Sequence, residues 1–154
     1  MASLQRRVAI AFLDTFKDLD IESNLALRTP DCVHTMAPAT LGMKSMSNAE
    51  FASHLSSLKE KISAIPVTPK EIFEGGNLIT VWATSTTTFR DEVKDEDLTV
   101  DWSYEGEYIF VFTFNQSGDK IQHILEFLDS KKVDKARTLL QRAGRNLEPR
   151  KGNR

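Results

Sequence analysis

Residues 101–130, DWSYEGEYIFVFTFNQSGDKIQHILEFLDS, decide the fold. Taking every second residue of the first half gives Trp102, Tyr104, Gly106, Tyr108, Phe110, Phe112 and Phe114, one strand face that is almost wholly aromatic or apolar. Asn115, Ser117 and Gly118 supply turn chemistry, and a second run places Gln122, Ile124, Glu126 and Leu128 on one face. The spacing predicts two long paired strands with a buried side. Two phenols and a carboxylate on that side are costly in an apolar core unless they are partnered or face a cavity. A cavity holding a small molecule is the expectation. Gly106 is the position where a bulge would turn one tyrosine away from the other.

Working towards the N-terminus, apolar residues Leu4, Val8, Phe12, Phe16 and Leu19 mark a helix over 3–19 with one buried stripe. Asp20 is a candidate N-cap for a second helix through Leu25 and Leu27, ended by Pro30, with Arg28 at its end and at the rim of the expected cavity. Residues 32–38, CVHTMAP, read as a short strand or an irregular segment carrying His34. Met36, Leu41, Met43 and Met46 follow as an adaptable apolar set over a cavity mouth or in core gaps. Ser47 and Glu50 form a capping box before Phe51, Leu55, Leu58 and Ile62, predicting a third helix that ends near Ile65. Residues 70–74, the turn at Gly75, Gly76 and Asn77, and the Thr- and Val-rich run 78–89 predict another hairpin. The charge run 90–97 reads as a solvated loop.

Beyond the opening stretch, Asp129 or Ser130 caps a last helix with Val133, Ala136, Leu139, Leu140 and Ala143, stopped by Gly144. The expected organisation is one domain over 1–144 and a polar, basic, disordered tail over 145–154. Helices first, then a run of long strands, is the α+β pattern: a curved antiparallel or mixed sheet wrapped as a cone round three N-terminal helices, with an internal pocket and a C-terminal helix. A net charge of -2 gives no electrostatic reason to expect nucleic acid. No apolar run approaches the roughly 20 residues of a membrane span. A lone Cys32 and an amphipathic, Arg-bearing start point to a reducing, cytoplasmic setting. The three histidines form no metal signature, and no Gly-rich phosphate loop or GxSxG occurs, so neither metal nor organic cofactor is expected.

RTPDCVH with Pro38 and the Leu41-Gly42 pair, the helix start SNAEF, the hairpin EYIFVFTFNQSGDKI and the closing EFLDS together resemble SnoaL-like proteins of the nuclear transport factor 2-like fold. The resemblance covers nearly the whole chain to Ser130. It is closest in kind to small fungal members of secondary-metabolite pathways, which include polyketide and meroterpenoid isomerases and semipinacolases of the brevianamide type, acting on alkaloids. It implies a bent sheet round a conical pocket, and homodimers are common in such a family.

The resemblance to limonene epoxide hydrolases and SnoaL-like cyclases implies an acid or base at Glu126, pointing into the pocket from the last strand, where a carboxylate suits general-base work. A buried pairing with Arg28 or with a helix N-terminus is the alternative. Tyr104 and Tyr108, four apart, with Glu126 on the next strand resemble the tyrosine pair and glutamate of semipinacolase-like members; phenols hydrogen-bond a carbonyl oxygen while their rings shape the cavity. Arg28 is placed to hold an enolate or alkoxide, or else to cap a helix dipole. His34 titrates near neutrality and suits proton transfer. Trp102, Trp82 and Met36 are expected to wall the substrate pocket, whereas His123, on the face opposite Glu126, and His54 are poor catalytic candidates. The function expected is a cofactor-independent isomerase or cyclase acting on a hydrophobic polycyclic metabolite. The rivals are a carrier with the same pocket, or a dimerising interaction domain.

Overall fold

The opening hairpin forms as two antiparallel strands, β5 (Tyr104–Phe114) and β6 (Ile121–Leu128), in a computed structural model that describes residues 1–151. Its turn is closed by Gly118 at φ 74° and by Asn115 and Ser117 bonding Asp119. Along β5, residues 106, 108, 110, 112 and 114 are buried while their neighbours are not. Pairing with the preceding long strand, β4 (Leu78–Phe89), runs from Leu78↔Thr113 to Thr87↔Tyr104 without a register shift. Gly106 therefore marks no bulge, and both tyrosines stay on one face.

The irregularity lies in β6 instead. Thr113 pairs with His123 but Phe114 with Ile121, so Gln122 is the extra residue and is exposed. Ile121, and not Gln122, joins Ile124, Glu126 and Leu128 on the inner side. Trp102 precedes the strand rather than sitting in it, because Asp101 accepts from the Ser103 backbone and holds that segment in a turn.

Towards the N-terminus, α1 (Leu4–Asp14) is capped by Ser3 and buries Val8, Ala9, Phe12 and Leu13. A 3-10 turn at Thr15–Lys17 carries Phe16 and ends the regular helix earlier than the periodicity predicts. Leu19, fully buried at φ 55°, turns the chain into α2 (Ile21–Ala26), with Asp20 as its N-cap. Arg28 does not belong to that helix. It opens β1 (Arg28–Ala37), a ten-residue strand where only a short one was expected, paired parallel with β6. The pair joins segments far apart in sequence, His34 lying opposite Ile124.

The Ser47–Glu50 capping box opens α3 (Asn48–Lys59) as predicted. The helix ends at Lys59 rather than near Ile65, because Ile62–Ala64 leave it to form β2 on the edge of β4. Residues beyond Pro66 continue along the same edge as β3 (Val67–Gly75). The sheet thus runs β1-β6-β5-β4-β2 with β3 also on β4, six strands curled round α1 to α3. Phe12, Phe112 and Phe114 are among its largest fully buried side chains.

The last helix, α4 (Ser130–Lys151), is capped by Asp129, whose Oδ1 accepts from the Lys131 and Lys132 backbone. It passes through Gly144 into the segment expected to be a disordered tail. A glycine costs a helix interior about 1 kcal/mol, and docking offsets this: Ala143 is fully buried and Asn146 donates to Val93 O at 2.7 Å. The remainder of that expected tail, 152–154, lies outside the described residues. The charge run is also more than a solvated loop: Val93 is fully buried, Asp95 pairs with Arg142, and Asp101 beyond the run pairs with Lys135. No described helix is long and apolar enough to cross a membrane.

Candidate functional site

Between the curled sheet and α3, and against α4, lies a cavity of about 350 Å³. Its walls are largely apolar: Phe110 and Leu128 from the sheet, Leu55 and Leu58 from α3, and Val133 and Leu140 from α4. Tyr104, Tyr108 and Glu126 reach it from β5 and β6, and Met36, Leu41 and Met43 line it as the flexible set was expected to. Met46 instead bonds back to back with His34 through its backbone.

Glu126 is held from behind by a buried chain of hydrogen bonds. Its Oε1 lies 3.0 Å from His34 Nε2; His34 Nδ1 lies 3.3 Å from Arg28 Nη2; Arg28 Nε donates to Asn24 Oδ1 at 2.9 Å; and Asn24 Nδ2 donates to Thr15 Oγ1 at 2.9 Å. A guanidinium can only donate, so His34 Nδ1 must be the accepting nitrogen and the imidazole proton sits on Nε2, directed at Glu126. Burial is the main cause holding the His34 pKa below its usual value, against the opposing pull of Glu126. The pair is therefore a neutral imidazole donating to Glu126 Oε1. Glu126 Oε2 has no hydrogen-bond partner among the described residues.

The Arg28 charge is tolerated in the interior because its guanidinium lies 4.0 Å from the Phe51 ring centroid and 5.2 Å from that of Phe12. Burial pulls its pKa down to about 10, which leaves it a cation at neutral pH. Nη1 remains without a partner among the described residues. Arg28 is thus not at the cavity rim, because as the first residue of β1 it is packed behind Phe51 and reaches Glu126 only through His34. His34, fully buried and stacked on Phe51 at 4.6 Å, touches Glu126 and not the cavity.

The tyrosines differ from each other. Tyr108 Oη is bonded to Ser85 Oγ at 2.8 Å, and burial raises its pKa. Gly106 makes that bond possible: a Cβ there would stand on Tyr108 Oη and 2.7 Å from Ser85 Oγ. Tyr104 Oη has no protein partner among the described residues, and burial, with Glu126 and Asp129 nearby, pushes its pKa up to about 12. Tyr104 is a neutral donor offered to the cavity.

Neither tryptophan walls the pocket. Trp82 is on the outer face of β4, paired with Ile109, and its Nε1 donates to Glu107 Oε2 at 2.8 Å. Trp102 backs Phe89 edge-on at 5.3 Å. His123 bonds Thr35 on the outer side, as its parity predicts. His54, by contrast, lines the cavity. Its place could have been found, since Phe51, His54, Leu55 and Leu58 follow the i, i+3, i+4, i+7 rule of a buried helix stripe. Other polar residues missed are Ser85 and Asn24, and Thr87 and Arg137, which line the cavity; they read as ordinary strand and helix residues.

No family model matches the chain, and no curated relative matches it. Solved structures do. BvnE pinacolase from Penicillium brevicompactum is 20% identical at a TM-score of 0.75, over 90% of this chain and 94% of that one. AusH from Aspergillus nidulans is 20% identical at 0.71, over 84% and 86%. An NTF2-like protein from Burkholderia pseudomallei is 16% identical at 0.68, over 86% and 95%. SnoaL-like proteins from two Shewanella species share the architecture as well. The chain has the nuclear transport factor 2-like fold that these solved structures share.

Proposed function

We propose that this protein is a cofactor-independent isomerase or cyclase that rearranges a hydrophobic polycyclic natural product by acid/base catalysis in the cavity, within secondary-metabolite biosynthesis. The observation that carries the reading is Glu126, with one oxygen held by His34 and the other unpartnered in an apolar pocket beside the Tyr104 hydroxyl. A pocket of this kind needs a fixed base and a donor where negative charge develops. Glu126 Oε2 takes the proton from a carbon or hydroxyl next to a carbonyl, Tyr104 Oη donates to the carbonyl oxygen as it gains charge, and the proton returns at another atom of the ligand. Arg28 and His34 position the base. Tyr108, tied to Ser85, shapes the wall. The fold shared with a pinacolase is consistent with rearrangement beside a carbonyl.

The test is proton exchange. Polycyclic diketones and hydroxyketones incubated in D₂O with the wild-type protein should gain deuterium next to the carbonyl, read by mass spectrometry, and Glu126→Gln should slow this by at least about a hundredfold. Ligands returned unexchanged would identify a carrier, and exchange at the wild-type rate by Glu126→Gln would remove Glu126 as the base. The proposal includes a homodimer formed through the outer sheet face. Phe127, Ile109 and Trp82 lie side by side across β6, β5 and β4, with Phe127 49% and Ile109 39% exposed.

A further inference from the structure

His54 takes no part in the chemistry above, yet it is the one titratable side chain that α3 contributes to the cavity lining among the described residues. It lies one helical turn from Phe51, ring centroids 6.4 Å apart, and its neighbours along the stripe, Leu55 and Leu58, are apolar. Half-buried, it has no hydrogen bond to any described residue. Imidazole nitrogens in such a place are satisfied by water or by a ligand. Glu126 lines the same cavity, so the two residues face one space. Glu126, Tyr104, Tyr108 and Thr87 come from the sheet and His54 from α3, while Arg137 of α4 also lines the cavity but spends its guanidinium on Leu41 O, so unpartnered polar groups face the cavity from the sheet and from α3 across apolar lining.

Resting on the reading of the cavity as a ligand site, we infer that His54 is a ligand-contacting residue and that the pocket takes a polycyclic molecule bearing two oxygen functions, one for Glu126 and Tyr104, the second for His54. An apolar ligand with a single oxygen would leave one wall unsatisfied. The second contact fixes which way round the molecule lies, and so which of its protons meets Glu126.

The experiment compares fluorescence titrations of the full-length protein with 2-naphthol and with 2,6- and 2,7-dihydroxynaphthalene. In the wild type, the better of the two diols should bind about 3- to 10-fold more tightly than 2-naphthol, the scale of one added hydrogen bond. His54→Leu should erase that advantage and still bind 2-naphthol, whereas His54→Gln, which keeps a donor and an acceptor, should retain most of it. In the wild type alone, the ¹⁵N signals of the His54 imidazole, assigned by their loss in His54→Gln, should move with the better diol and stay in place with 2-naphthol. A diol advantage that survives His54→Leu, or is absent from the wild type, overturns the inference while leaving the pocket intact. Failure of all three compounds to bind overturns the ligand-site reading itself, and this inference with it.

Discussion

Gly106 and Tyr108 show how one missing side chain sets another. The tyrosine hydroxyl lies in the space a Cβ at Gly106 would fill, bonded to Ser85 Oγ. Gly106→Ala should therefore force the phenol off Ser85 or bend β5, lowering stability by about 1–3 kcal/mol in urea unfolding. An unchanged urea midpoint would show that the ring has another place to go. The same position shows what was legible at this scale. Period-two alternation is a local property, and it placed Tyr104, Tyr108 and Glu126 on one inner face. Arg28 and His34 were found as residues but not in their contacts, because their partners are decided by the β1–β6 pairing, which no local pattern reports. His54 was readable from its helix stripe and was set aside because a histidine among apolar residues has no unique meaning without the cavity around it.

Among the elements, α4 has the most consequence for the cavity, since Val133, Ala136 and Leu140 form part of its wall. It is fastened by buried Leu139 and Ala143 and by Arg142, which meets Asp95 and, at 3.5 Å, Asp97. The Arg142–Asp95 side chains are only 33% and 26% exposed, so the pair is less screened than a fully solvated one. Asp95→Asn should weaken docking, seen as faster amide exchange across α4 with β5 and β6 unaffected. Equal acceleration in all three would mean that the helix does not open on its own. The charge run reads as solvent-facing because five of its eight residues are acidic. What cannot be seen from it is that Arg142 on a distant helix meets two of those acids. The helix's own apolar spacing was clear, and its length was not, because Gly144 is a stop only where nothing packs beyond it.

For the molecule as a whole, the arrangement of helices before strands gave the α+β cone, but not the strand order or the split of one sheet edge into β2 and β3 at Pro66. The outer face makes its own prediction. With Phe127 and Ile109 adjacent and exposed, the protein should sediment as a dimer at about 10 μM and Phe127→Lys should shift it towards monomer, because a desolvated ammonium in an apolar contact is costly. A wild-type monomer at that concentration would rule the interface out.

The parallel pairing of β1 with β6 has a kinetic meaning. His34 and Glu126 are 92 residues apart, and closing a loop of that length costs about 4 kcal/mol in chain entropy before any contact is returned. Pairings so distant in sequence slow folding. The intervening hairpins can form first, each from neighbouring segments, and the carboxylate acquires its imidazole only when the two ends of the sheet meet. Competence would then arrive with the last tertiary step, so that a chain arrested short of it would carry every strand of the pocket wall and still lack an oriented base.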